Sequence, residues 1–222
     1  MPTDPPPARP AVGAAAHYFD ADPAAPSEPR TVELTLPDLS LTLRSDRAVF
    51  SGDRVDPGTK YLLLEAPAPD PAVAHALDLG CGYGPIAVTL AHRAPGARVW
   101  AVDVNERAVG LCRANAIDTG TAERVDVSVV RDGAPFGSVP HDVAFDLIWS
   151  NPPIRIGKAA MHDVLTRWLD RLAPEGRAVL VVQKHLGSDS LQRWLTDQGW
   201  PTDRLSSRAG YRLLDVRARQ AS

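Results

Sequence analysis

A-L-D-L-G-C-G-Y-G-P, Ala76–Pro85, is the stretch whose reading decides the fold. The apolar strand A-H-A-L-D-L runs into Gly80, Gly82 and Gly84, which permit a tight turn and a close approach to the backbone. Pro85 then stands where a missing N–H costs little, at the start of the helix P-I-A-V-T-L-A-H-R. The same rhythm continues downstream. R-V-W-A-V-D-V reads as a strand, and N-E-R-A-V-G-L-C-R-A-N-A-I as a helix with Asn105 as its N-cap. R-V-D-V-S-V-V and F-D-L-I-W-S are strands. A-A-M-H-D-V-L-T-R-W-L-D-R-L has helical spacing, with Met161, Val164, Leu165, Trp168 and Leu172 on one face. R-A-V-L-V-V-Q is a strand, and D-S-L-Q-R-W-L-T-D-Q a helix stopped by Gly199 and Pro201. R-L-S-S-R and Y-R-L-L-D-V-R close the chain as an antiparallel pair. Alternating βα units with fully apolar strands predict a doubly wound α/β domain, its parallel sheet covered on both faces.

Upstream the pattern differs. V-E-L-T-L, a P-D turn and L-S-L-T-L predict a β-hairpin, followed by the turn-rich loop S-G-D-R-V-D-P-G-T and the short helix T-K-Y-L-L-L-E-A. Pro and Ala dominate the first thirty residues, which cannot bury enough surface to offset their ordering entropy. A flexible tail is expected over 1–30, with His17-Tyr18-Phe19 able to dock, then a hairpin, loop and helix over 31–70 and the core over 71–222. A chain of 222 residues suffices for one domain with a sizeable core. It holds no apolar run of membrane-spanning length, and its first residues lack the basic and apolar regions of a secretory signal, so a cytoplasmic protein is expected. Cys81 and Cys112 stand in unlike contexts and suggest no disulfide. The histidines lack ligand spacing, so no metal is expected. A net charge of −3 is not that of a generic polyanion binder, and any nucleic-acid contact must be a local basic patch.

The acidic residues around the glycines narrow the ligand. Asp103 ends the second core strand, where a carboxylate can accept two hydrogen bonds from a ribose diol. The glycine spacing is G-x-G-x-G and not the G-x-G-x-x-G of dinucleotide sites, and Asp78 at the strand end would repel a pyrophosphate. That charge suits a cationic ligand, S-adenosylmethionine over NAD. D-L-G-C-G-Y-G resembles the first motif of class I S-adenosylmethionine-dependent methyltransferases, and V-W-A-V-D-V-N their ribose-binding strand. The resemblance implies a Rossmann-like sandwich with a mostly parallel seven-stranded sheet and an antiparallel C-terminal strand. It also implies that Asp78, Gly80, Cys81, Gly82 and Gly84 frame the methionine end, and that Asp103 and Val104 meet the ribose. Asp132 stands where the family places an acid or amide near the adenine amine, or is a plain turn aspartate.

S-N-P-P-I, Ser150–Ile154, follows the fourth core strand at the same sheet edge. Exocyclic aryl and amide nitrogens are weak nucleophiles because their lone pair is delocalised. Two acceptors on the N–H groups can localise it: the Asn151 side-chain oxygen and the Pro152 carbonyl, held by the fixed φ angles of Pro152 and Pro153. Alignment then carries most of the rate, and no strong base is required. The motif is similar to the [N/D]-P-P-[aromatic] signature of amino-group methyltransferases, with Ile154 in place of the aromatic. With V-F-S-G-D-R-V-D-P-G-T and V-V-Q-K-H-L-G-S it resembles small single-domain relatives of bacterial guanine-N2 methyltransferases of small-subunit ribosomal RNA. Larger members carry an extra N-terminal domain that this chain is too short to contain. In the family the loop before the core closes over the cofactor, which implies contacts from Gly58 and Thr59 and a role for Asn151 beside the cofactor.

Arg155, Lys158 and Lys184 flank the expected site and can meet RNA phosphates, or else solvate a helix start and a strand end. The expected partner is ribosomal RNA or a ribosomal subunit, with no membrane and a monomeric state. Alternatives are the same chemistry on a protein glutamine amide or a small molecule, and a non-catalytic cofactor- or RNA-binding module.

Overall fold

The computed structural model describes residues 26–47, 49, 53–153 and 156–220. The expectations for the first twenty-five residues, including His17-Tyr18-Phe19, and for Ile154 and Arg155 fall outside the described residues.

Two strands, β1 (Pro29–Thr35) and β2 (Ser40–Asp46), pair antiparallel in a sheet of their own, with Val32 opposite Leu43. The Pro37-Asp38 turn joins them, as the alternation predicts. Helix α1 (Pro57–Glu65) starts at Asp56, whose side chain accepts from Thr59 N, and Pro57 fixes the first turn.

The core alternates β3 (His75–Leu79), α2 (Pro85–Arg93), β4 (Arg98–Asp103), α3 (Glu106–Asp118), β5 (Val125–Val129) and β6 (Phe145–Ser150). It continues with α4 (Lys158–Leu169), β7 (Leu172–Gln183), a 3-10 turn at Lys184–Leu186, α5 (Ser188–Asp197), β8 (Thr202–Arg208) and β9 (Tyr211–Arg217). The seven strands lie in the order β5-β4-β3-β6-β7-β9-β8, parallel from β5 to β7 and antiparallel at β9 and β8. This is the doubly wound sheet expected from the apolar strands.

Strand alternation sends side chains to two cores. Ala76, Leu147, Trp149 and Val181 face α1, α2, α3 and the hairpin. Leu77, Ile148, Leu180 and Val182 face α4 and α5. Burying a Leu, Ile or Val side chain there contributes about 1.5–3 kcal/mol, which is why these strands are largely apolar on both faces.

The hairpin is tied to the sheet by one side chain of α3. Asn115, fully buried, accepts from Arg44 N at 2.7 Å and donates to Arg44 O at 2.9 Å and Tyr83 O at 2.8 Å. It thus extends the backbone pairing of β2 and reaches the glycine loop with the same amide.

One sequence expectation needs correction. Leu172 is not on the α4 face: α4 ends at Leu169, and Leu172 opens β7 opposite Phe145. The apolar spacing continues through the turn at Asp170–Arg171, which holds no Gly or Pro to mark it. Cys81 and Cys112 are both buried free cysteines, as their unlike sequence contexts lead one to expect. No helix of the described residues is long and apolar enough to cross a membrane.

His162 of α4 stacks on Trp194 of α5 with ring centroids 3.6 Å apart, and its buried Nε2 has no hydrogen-bond partner. Burial, with Lys158 nearby, holds its pKa below the ordinary value. The neutral ring is therefore the stabilising form. Its contribution is full above about pH 6.5 and is lost as pH falls through the lowered folded value. Melting temperature should drop between about pH 7 and pH 5, and His162→Phe should flatten that drop, which thermal denaturation across this range checks.

Candidate active site

The strand order reverses between β3 and β6, because β4 and β5 build to one side of β3 and β6 returns to the other. A crevice opens at such a switch point beyond the carboxyl ends of the strands. Here it is a cavity of about 330 Å³, with the glycine loop, Asp103 and Asn151 on its wall.

The loop is held by backbone bonds. Gly80 N and Cys81 N both donate to Val102 O, at 2.9 and 3.0 Å. All three glycines have positive φ: 77° at Gly80, 55° at Gly82 and 92° at Gly84. Their reasons differ. A Cβ at Gly82 would meet nothing within 4 Å and at Gly80 only Pro153 Cδ at 4.0 Å, so the loop surface is open to a ligand. A Cβ at Gly84 would lie 2.5 Å from Cys112 Sγ and 3.3 Å from its Cα, so here glycine permits α2 and α3 to pack. Gly84→Ala should therefore cost about 2–4 kcal/mol of stability, from overpacking and backbone strain together. Gly82→Ala should cost less stability, because only the strain remains. Chemical denaturation of the two variants checks the ranking.

Gly84 also has no side chain with which to cap α2. The carboxyl of Asp78 does this from the neighbouring strand: its Oδ2 accepts from Ala87 N at 2.9 Å, where the helix dipole favours negative charge. Asp78 is fully buried, and its Oδ1 has no hydrogen-bond partner. Burial pushes its pKa well above the usual carboxylate range, and Asp103 adds to the rise. Asp78 lies behind the glycine loop and is not part of the cavity wall.

Asp103 clamps the loop from β4. Its Oδ2 accepts from Gly82 N at 2.8 Å and its Oδ1 from Asn105 N at 2.9 Å. Asn105 in turn caps α3 by accepting from Ala108 N at 3.0 Å. Burial raises the Asp103 pKa despite these bonds.

The Asn-Pro-Pro segment is anchored alongside. Ser150 Oγ donates to Leu79 O at 2.7 Å and fastens the end of β6 to the residue before Gly80. Asn151 Nδ2 donates to Asp56 Oδ1 at 2.7 Å and to Thr59 Oγ1 at 3.0 Å. A carboxylate only accepts, so the amide nitrogen must face it. The Asn151 oxygen is left to accept from elsewhere. Near Asn151 the wall is completed by Gln183 and Tyr211, whose side chains meet at 3.2 Å.

A family profile described as Methyltransferase small domain matches residues 40–214. The chain belongs to this methyltransferase family. It is 34% identical over 174 residues to a Bacillus subtilis protein, uncharacterized protein YbxB, covering 78% of this chain and 84% of that protein. It is 37% identical to Ribosomal RNA small subunit methyltransferase C of Chromohalobacter salexigens, covering 71% of this chain and 45% of that enzyme. Among solved structures, a T. thermophilus 16S rRNA N2 G1207 methyltransferase in complex with AdoMet and guanosine superposes with a TM-score of 0.73 at 24% identity. That match covers 89% of this chain and 52% of that one, and it shows the shared fold. The chain thus spans about half the length of these two ribosomal RNA enzymes.

S-adenosylmethionine is the methyl donor of this family, and the cavity suits it. The open Cβ directions at Gly80 and Gly82 admit close approach. Asp103 on the wall and Asp78 behind the loop place two carboxyl groups beside the site, and a bound cationic sulfonium would favour their ionised forms.

Of the residues singled out from sequence, the cavity wall brings together Gly80, Cys81, Gly82, Asp103, Val104, Asp132, Thr59, Asn151, Pro152 and Pro153. Asp78, Gly84 and Gly58 support it from outside: Gly58 lies where a Cβ would touch Tyr211 at 2.8 Å. Lys158 and Lys184 are exposed and off the wall. Sequence reasoning missed Asp56, Gln183 and Tyr211. Asp56 carried a signal as the N-cap of an Asp-Pro-Gly-Thr helix start, whereas the other two come together only through the β7–β9 register.

Proposed function

We propose that this methyltransferase transfers a methyl group to an exocyclic amino nitrogen, guanine N2 of ribosomal RNA. The observation that carries this reading is the fixed polarity of Asn151, whose nitrogen is held by Asp56 and Thr59. Its free oxygen and the Pro152 carbonyl form a pair of acceptors suited to an amino group with two N–H bonds.

The donor supplies an electrophilic methyl on a positively charged sulfur. The chain's own residues orient the acceptor. By accepting both N–H bonds, Asn151 and Pro152 draw the nitrogen toward tetrahedral geometry and localise its lone pair toward the donor side. The proton leaves to water after transfer, which fits a wall with no histidine among its described residues. Tyr211 supports a planar acceptor: it presents an aromatic ring on the wall near Asn151, a surface on which a base can stack. Exposed Lys158 and Lys184 support an RNA acceptor as cations available to its phosphates.

Nucleoside mass spectrometry of ribosomal RNA from cells with and without this protein tests the reading. Loss of one N2-methylguanosine, restored by the purified protein and S-adenosylmethionine, is expected. An unchanged nucleoside profile overturns it.

A further inference from the structure

A primary amide is nearly symmetric in outline. Turning its last torsion by half a revolution replaces an acceptor with two donors. An Asn151 turned the wrong way would present N–H bonds to the N–H bonds of an amino group, and the two would repel. The site therefore needs something that selects one orientation, and a hydroxyl cannot do it, because Thr59 Oγ1 can donate as well as accept.

Asp56 can. Its Oδ1 lies 2.7 Å from Asn151 Nδ2, and the reversed amide would set oxygen against carboxylate oxygen at that distance. Asp56 is itself immobilised: the same oxygen accepts from Thr59 N at 2.9 Å at the start of α1, and the residue is 9% exposed. Gly58 contributes by having no side chain, since a Cβ there would stand 2.9 Å from Asp56 Oδ1.

We propose that Asp56 is a positioning residue that fixes Asn151 as a hydrogen-bond acceptor toward the methyl-accepting nitrogen. The inference rests on the role assigned to Asn151 above. It makes the segment before the core part of the reaction centre, across 95 residues of chain.

The test is an exchange of the two groups. Asp56→Asn keeps an oxygen against Thr59 N and so should lose little, whereas Asp56→Ala removes the acceptor that selects the amide orientation, and kcat on unmodified small-subunit ribosomal RNA should fall by about 2-fold or more, with S-adenosylmethionine affinity within about 3-fold of wild type. Asn151→Asp sets two carboxylates face to face and should lose more. In the double variant the introduced amide donates to one oxygen of the introduced carboxylate and leaves the other free to accept. Its kcat should recover by about 10-fold over Asn151→Asp alone. Losses that simply add would overturn the proposal, because a purely structural role for Asp56 gives no recovery. A second readout needs no acceptor: the side-chain amide protons of Asn151 in NMR spectra should shift when Asp56 is replaced by Ala. Unchanged amide signals would also overturn it. A wild-type protein inactive on this RNA would count against the guanine reading alone, and the amide signals would still decide the role of Asp56.

Discussion

Asp103→Ala is expected to abolish donor binding. The Asp103 carboxylate takes one backbone N–H on each oxygen, Gly82 at 2.8 Å and Asn105 at 2.9 Å, and the residue stands on the cavity wall. Hydrogen bonds to a charged group contribute about 1.5–3 kcal/mol each. Two bonds to a ribose diol therefore correspond to about 3–6 kcal/mol, or a loss of roughly 100- to 10,000-fold in affinity. The substitution also frees Gly82 N, so the loop loses the clamp that shapes it. Calorimetric titration with S-adenosylmethionine reads the effect, and thermal melting run beside it separates a lost contact from a collapsed loop. Affinity equal to wild type would overturn the ribose assignment. Asp103→Asn is not a conservative control, because its amide nitrogen would face one of two backbone N–H groups.

The second large effect is expected at Asn151. Asn151→Ala removes an acceptor that acts on the amino group as it becomes nucleophilic. The loss of one such positioned contact is about 3–4 kcal/mol, or roughly 100- to 1,000-fold in kcat. Donor affinity should stay within about 3-fold, since Asp103 and the glycine loop remain intact. Single-turnover methyl transfer measured beside donor binding gives both numbers. Undiminished turnover would remove the lone-pair argument and leave the Asn-Pro-Pro segment as a turn.

Much of the fold was legible before the structure because strands buried on both faces leave unbroken apolar runs, and because glycine and proline mark where they end. Helix α2 begins and ends where Pro85 and Arg93 predict. The failures have physical causes. Leu172 continued an apolar spacing through a turn that carries no breaker, and one residue of uncertainty there exchanges helix for strand. Strand alternation groups Asp78 with Ala76, on the side covered by α2, where its carboxyl caps that helix behind the glycine loop. The Gln183–Tyr211 pair and the Asp56–Asn151 bond join residues far apart in the chain. Local pattern can nominate each residue, but the pairing follows from helix packing and strand register.

One buried amide sets a limit on how small this enzyme can be made. Asn115 spends every hydrogen-bonding group it has on Arg44 and Tyr83. Deleting the first two strands would orphan the two groups paired with Arg44 and leave Tyr83, between Gly82 and Gly84, bonded to an amide no longer fixed from its other side. The leading ribbon is thus a component of the catalytic fold, and a version trimmed to the seven-stranded sheet would forfeit the shape of its own donor cradle.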